Sequence, residues 1–307
     1  MSLRARSWHA TNTFTHSEFP PERLAAQRDL SVSVCLPARD EARTIGAILE
    51  VLLDLRERGV LDQVVVVDNS TDGTAEIARR LGAEVHNQEH LLPELGPVLG
   101  KGDAMWRALG VLSGDVICFL DADTDHFGPH FACGLLGPLL CPGGISFVKG
   151  YYRRPFRMGE VTLPDGGGRV TALTARPLLN LFYPELAAVE QPLAGEVAAR
   201  RDLLERLPFV TGYGVDIGLL LDAHREAGLD ALAQVDLDVR QNAHQSLEEL
   251  APMAFAVLRA LATRLERDGR LTGALPSTFL LPGRDELRVL SGEGVERPPL
   301  VKLRAAA

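Results

Sequence analysis

The sequence predicts an α/β fold: a Rossmann-like, mixed but mostly parallel sheet covered by helices on both faces. Three observations predict it. Valine-rich apolar runs at 31–37, 64–67 and 116–120 are each bounded by turn residues, the pattern of strands buried on both sides. Amphipathic helical segments separate these runs, so strand and helix alternate through the first half. Two of the runs end on carboxylates, Asp68 and the pair Asp121-Ala122-Asp123. Ligands of open α/β sheets bind at the carboxyl ends of strands. Two carboxylates spaced i, i+2 at such an end repel each other and favour a divalent cation between them. A Mg²⁺ or Mn²⁺ ion gripping a diphosphate suits this pattern.

Each element follows in order. Residues 1–29 have weak periodicity and a Pro20-Pro21 break, and read as an extended arm followed by a short helix. The strand at 31–37 stops at Pro37. The helix opened by Arg39-Asp40-Glu41 carries Ile45, Ile48, Leu49, Leu52 and Leu53 on one face. After the strand ending at Asp68, Thr71-Asp72-Gly73-Thr74 makes a turn into a helix at 74–81. A short strand at 84–86 and a helix at 104–112 precede the strand of 116–120. Residues 143–154 form a strand tipped with Arg153 and Arg154, and a glycine loop then feeds a helix towards Arg176. Residues 246–270 make one long amphipathic helix, with Ser246 and Glu249 in a capping box. The last ~35 residues, rich in Pro and Gly, have no core of their own and are expected to pack on a neighbour or a second subunit.

Composition narrows the function. The 307 residues are 46% hydrophobic and 24% charged, enough to bury a full core. A net charge of −9 without a basic face argues against general nucleic-acid binding. No stretch approaches the ~20 apolar residues of a membrane span. Cys35, Cys118, Cys133 and Cys141 form no CxxC pair, and the polar N-terminus lacks a signal-peptide pattern. The expectation is a reduced, cytoplasmic protein.

Other constellations add chemistry. A bare DxD is more often a polar strand end than a metal site; the buried strand and the second carboxylate tip at Asp68 raise its weight. Asp125, His126 and His130 read as a solvated loop behind it. Lys101, between Gly100 and Gly102 at a helix start, suits a phosphate, although the Walker A spacing is absent. Gly166-Gly167-Gly168-Arg169 is either a hairpin tip or a second anion loop, with glycine N–H groups and a two-pronged arginine. A second anion loop implies a phosphorylated or carboxylated acceptor.

The carboxylate-tipped strands resemble the GT-A fold of nucleotide-sugar glycosyltransferases. Four motifs, VKGYYRRP (148–155), GGGRVTALTARPLL (166–179), QPLAGEVAARR (191–201) and GYGVDIGLLLD (212–222), resemble the glucosyl-3-phosphoglycerate synthases and their mannosyl-transferring relatives. The resemblance runs from about residue 30 to 250. It implies transfer of a hexose, with retention, from a nucleotide sugar to the 2-hydroxyl of 3-phosphoglycerate, with Mg²⁺ or Mn²⁺. It implies a nucleotide-sugar half at 30–150, an acceptor half at 151–250, and a C-terminal helix and dimerisation tail at 251–307, after the arm at 1–29. Pro37, Ala38, Arg39 and Glu41, with Asp68 and Ser70, would shape the nucleoside pocket. Asp121 and Ala122 would face the nucleotide, and Lys101 the diphosphate. Asp123 would be the main metal ligand beside Asp121. Gly168, Arg169, Val170 and Thr171 would hold the acceptor.

Three departures stand out. The first loop has Arg39-Asp40-Glu41 where the family has asparagine before glutamate. Asp216 replaces a glutamate. The metal-binding histidine and the asparagine after it are replaced by Asn242-Ala243-His244, which leaves His244, the preferred ligand, or Asn242 as the third one. Asp216, with Lys101 and Asp123, is expected to serve catalysis, and Glu190, Glu196 and Asp216 are the candidate nucleophiles. Front-face attack with Asp216 orienting hydroxyls is favoured over a covalent intermediate. GDP-mannose and UDP-glucose stay open as donors, and a homodimer is expected. The rival readings are a polyprenyl-phosphate sugar transferase and a catalytically silent nucleotide-sugar-binding module.

Overall fold

The computed structural model describes residues 3–158, 161–163, 167–240, 246–273, 278–282, 287–291 and 295–305. The chain opens with helix α1 (Leu3–Asn12), strand β1 (Thr13–Thr15) and helix α2 (Pro21–Gln27). Alternation follows through β2 (Val32–Ala38), α3 (Ile45–Glu57), β3 (Gln63–Asp68), α4 (Thr74–Leu81), β4 (Glu84–Asn87), α5 (Lys101–Ala108) and β5 (Val116–Phe119). Next come α6 (Pro129–Leu140), β6 (Phe147–Arg153) and a ribbon of β7 (Phe156–Met158) and β8 (Val161–Leu163). Helix α7 (Arg176–Phe182), β9 (Val197–Arg200), α8 (Arg201–Arg206), β10 (Phe209–Val210), α9 (Val215–Ala227) and β11 (Leu232–Val239) follow. The chain closes with α10 (Leu247–Arg267), a hairpin of β12 (Thr278–Pro282) and β13 (Leu287–Ser291), β14 (Glu296–Arg297) and α11 (Leu300–Arg304).

Eight strands form one sheet in the order β1-β11-β6-β9-β5-β2-β3-β4, parallel except for β9, which is antiparallel to both neighbours. The expected mixed, mostly parallel sheet is therefore observed. Alternate residues of the valine-rich runs enter opposite cores. Val32, Val34, Leu36, Val64, Val66 and Cys118 face α3 and α6, whereas Cys35, Val65, Val67, Ile117 and Phe119 face the side of α5 and α9. Because both faces are buried, the runs are apolar throughout rather than alternating. β3 lies on one side of β2 and β5 on the other. The crevice between β2 and β5 is thus a topological switch point, where such sheets bind ligands.

The start of the chain differs from expectation, and the end of the tail finds a neighbour within its own chain. The start of the arm is helical: Ala5 and Trp8 are buried, and the Trp8 indole donates to the Leu232 carbonyl at 2.8 Å. With only these two residues of α1 buried, the segment shows little helical periodicity. The end of the tail returns to its own chain from Val295 onward. β14 pairs with β10, Arg297 grips the buried Asp103 at 2.7 and 2.8 Å, and the Trp106 indole donates to the Pro298 carbonyl at 2.9 Å. Helix α5 also starts earlier than expected, so Lys101 is its first residue.

Buried charge locks the C-terminal elements together. Arg264 of α10, 1% exposed, pairs with Asp222 of α9 and Glu296 of β14. Removing one partner of a buried pair strands the other, whereas a surface pair contributes little. Arg264→Ala should cost about 3 kcal/mol or more in urea unfolding. Arg267→Ala, which removes the outer and more exposed partner of Asp222, should cost under about 1 kcal/mol.

Candidate active site

One cleft of about 770 Å³ opens at the carboxyl ends of β2 and β5. It is lined by Pro37, Ala38, Arg39 and Glu41 after β2, by Lys101, and by Asp121, Ala122 and Asp123 after β5. Gly168, Arg169, Val170, Thr171 and Asp216 line the same space. The four predicted acceptor residues and all the predicted donor residues except Asp68 and Ser70 therefore share a single cavity. Leu250, Met253 and Val257 of α10 line it too, so the C-terminal helix is part of the site.

Asp68 and Ser70 are placed differently. The Asp68 carboxylate accepts from the Ser70 hydroxyl at 2.6 Å, and that hydroxyl accepts from the Asp40 N–H at 2.7 Å. Asp40, at φ 59°, accepts in turn from the Thr71 N–H at 2.9 Å. These short polar side chains brace the two loops against each other. Neither Asp68 nor Ser70 lines the cleft; Asn69 and Gln88 do. Arg39 stays exposed at the cleft, while Asp40 is spent on the loop.

The carboxylate pair is organised by a residue that the motifs did not reveal. Arg240, just beyond β11, donates to Asp121 at 2.9 Å, to Asp123 and to the Tyr152 hydroxyl at 2.8 Å. It also lies 2.9 Å from Glu196. Asp121 accepts from Lys101 at 2.6 Å on its other oxygen. The turn itself is pinned where the Thr44 hydroxyl donates to the Ala122 carbonyl at 2.7 Å. Gly195 leaves room for this arrangement, because a Cβ there would come within 2.2 Å of the Asp121 carboxylate. Burial favours a neutral Asp121, but the charges of Lys101 and Arg240 outweigh it and hold the carboxyl far below its usual range. Burial keeps Glu196 raised in spite of Arg240.

Asp216 stands at the N-terminus of α9, 3.8 Å from the Lys101 ammonium and 3.6 Å from that of Lys149. Lys149 is buried and donates to the Ala194 carbonyl. Burial lowers its pKa, against the pull of Asp216. One buried oxygen of Asp216, Oδ1, has no hydrogen-bond partner among the described residues. Of the three candidate nucleophiles, Asp216 alone reaches the cleft. Glu196 is buried behind Arg240, and Glu190 contacts His9 and Arg176.

The loop of Gly168 and Arg169, expected to hold the acceptor, enters a helical segment from Gly168, at φ 73°, with a π-helical turn at Thr171–Ala175. The first N–H groups of a helix lack intrahelical acceptors, which favours an anion at Val170 and Thr171. Gly166 lies outside the described residues, as do both candidates for the third metal ligand, His244 and Asn242. Asp125 pairs with Arg43, and His130 packs against His16 and Phe131.

The donor set suits a hard divalent cation. Asp123 is 42% exposed and presents a carboxylate beside Asp121 and Glu41. Their mutual repulsion shows in Glu41, which is pushed up to about 7 by burial, then by Asp123 and Asp121. Among the described residues no three acidic, histidine or cysteine side chains complete a metal shell.

A switch-point cleft with a carboxylate pair, a lysine at a helix start and a glycine-arginine loop on its lining defines a GT-A glycosyltransferase. Residues 33–131 match the model of Glycosyl transferase family 2. A glucosyl-3-phosphoglycerate synthase of Mycolicibacterium smegmatis is 44% identical over 283 residues, 91% of this chain and 92% of that one. The crystal structure of mannosyl-3-phosphoglycerate synthase from Rubrobacter xylanophilus superposes with a TM-score of 0.89 at 46% identity, covering 97% and 98% of the two chains. That of the Mycobacterium tuberculosis glucosyl-3-phosphoglycerate synthase, in complex with Mn²⁺, UDP-glucose and phosphoglyceric acid, gives 0.81 at 40%, covering 95% and 99%. The chain belongs to the glucosyl-3-phosphoglycerate synthase family.

Glu41 makes the site testable by pH. Between its ordinary value of 4.5 and about 7, the folded metal-free protein holds a proton that the unfolded chain releases. Stability from this group is therefore full below about 4.5 and lost as pH rises through about 7. In urea unfolding, Glu41→Gln should gain on the wild type between pH 5 and pH 8. An unchanged difference across that range would remove this role.

Proposed function

We propose that the protein is a metal-dependent, retaining hexosyltransferase that moves glucose or mannose from UDP-glucose or GDP-mannose to the 2-hydroxyl of 3-phosphoglycerate. The observation that carries this reading is the single cleft holding Asp121, Asp123, Lys101, Asp216 and the Gly168-Arg169 loop together. A polyprenyl phosphate fits less well, because a second anion loop serves a small acceptor with charges of its own. No helix among the described residues is long and apolar enough to cross a membrane.

Asp123 and Asp121 would hold the divalent ion, with His244 or Asn242 as the third ligand. When bound, the ion supplies positive charge to the departing nucleoside diphosphate. Lys101 adds a fixed cation to the same group, already oriented by Asp121. Arg39 at the nucleoside end offers donors to a purine carbonyl, which supports use of GDP-mannose beside UDP-glucose. The glycine loop and Arg169 hold the acceptor so that its hydroxyl meets the anomeric carbon in register. Asp216, fixed between Lys101 and Lys149, accepts hydrogen bonds from sugar or acceptor hydroxyls. The leaving phosphate takes the proton in a front-face attack.

Four free cysteines accord with a cytoplasmic setting. A homodimer is supported by the hairpin of β12 and β13, which pairs only with itself among the described strands. Isolated two-stranded hairpins are marginal in water.

Release of UDP or GDP should require both 3-phosphoglycerate and Mg²⁺ or Mn²⁺. Turnover with the two donors side by side assigns the preference. Asp123→Ala should lower kcat/KM by roughly 100- to 1000-fold, and Asp216→Asn should lower kcat by roughly 10- to 100-fold. Full activity of Asp216→Asn would exclude the orienting role.

A further inference from the structure

We propose that Arg154 is a second acceptor-binding cation, taking the carboxylate of the phosphoglycerate while the glycine loop takes its phosphate. The inference rests on the acceptor reading given above.

Arg154 follows β6 and lines the same cleft as Asp123 and Arg169. Its guanidinium is held in place. It lies 4.9 Å from the centre of the Tyr152 ring and donates to the Tyr152 hydroxyl at 2.7 Å. Arg240 lies 5.5 Å from the same ring and donates to the same oxygen at 2.8 Å. The two arginines differ in their counter-charge. Arg240 meets Asp121, Asp123 and Glu196 directly. Arg154 hydrogen-bonds to no carboxylate among the described residues, and its Nε is buried without a partner there. Its nearest carboxylate, Glu196, reaches it only through the shared Tyr152 hydroxyl, and a half-buried guanidinium with no carboxylate of its own is incompletely compensated. A rigid arginine of this kind on the lining of a cleft is a site for a ligand anion.

The neighbouring backbone says which anion. The Gly167 N–H donates to the Arg154 carbonyl at 3.1 Å, and a Cβ at Gly167 would come within 2.5 Å of the Arg154 Cβ. Loop and arginine thus form adjacent subsites. N–H groups at a helix start suit a phosphate, whereas a planar guanidinium matches the two oxygens of a carboxylate. The reacting 2-hydroxyl sits on the carbon next to the carboxylate and further from the phosphorus. The carboxylate subsite must therefore lie on the side of the metal-binding carboxylates. Arg154 meets that demand, because Tyr152 joins it to Arg240 and so to Asp121 and Asp123.

The test is calorimetric binding to the full chain, with UDP or GDP and Mn²⁺ present, of 3-phosphoglycerate and of glycerol 3-phosphate, which lacks the carboxylate. Arg154→Ala should weaken 3-phosphoglycerate by about 10- to 100-fold. It should leave glycerol 3-phosphate within about twofold, and Arg154→Lys should recover part of the loss. Arg169→Ala should weaken both ligands. Arg154→Gln serves as a second probe if the alanine variant is poorly folded. Equal weakening of both ligands by the Arg154 variants, or no weakening of either, overturns the assignment. If the wild type binds neither ligand, the acceptor reading fails, and the assignment with it.

Discussion

The site depends on one buried guanidinium. Arg240 joins Asp121, Asp123, Glu196 and Tyr152, which come from three separate stretches of chain. Carboxylates at this density repel strongly in a poorly solvated cleft, and a fixed cation is what lets them converge. The planar fork suits the task, because its two terminal nitrogens reach different carboxylates at once. Lysine has no such span. Asp121 is consequently a hub, with Lys101 on one oxygen and Arg240 on the other.

Much of the first half was legible because its strands are buried on both faces. A continuous valine run closed by a carboxylate fits a doubly covered strand and little else, and Val64-Val65-Val66-Val67 indeed feeds both cores. Arg240, Tyr152 and Lys149 were not legible. Their roles arise from contacts across the sheet, and an ion pair leaves no periodic mark on a sequence. Asp68 shows the opposite difficulty. An aspartate at a strand end can face a ligand or bond to a serine two residues on, and the one-dimensional pattern is the same. The tail's anchor points were not legible for a related reason: a few residues, Glu296, Arg297 and Leu300, hold it, within a composition typical of a linker.

Helix α10 ties the far end of the chain to the chemistry. Leu250, Met253 and Val257 line the cleft, while Arg264 is locked to α9 and β14. A helix rises about 1.5 Å per residue, so the lock lies roughly 16 Å from Met253. Helix α9, its partner in that lock, begins with the segment that carries Asp216.

Two helices therefore share one geometry, with their N-terminal ends at the cleft and a charged clasp further along. A stiff rod transmits displacement along its length instead of absorbing it. Met253 and Asp216 line the cleft from these two helices, so a shift at Arg264 is carried to both sides of that wall. Substitutions in the tail at Glu296 thus have a mechanical route to a cleft they never touch.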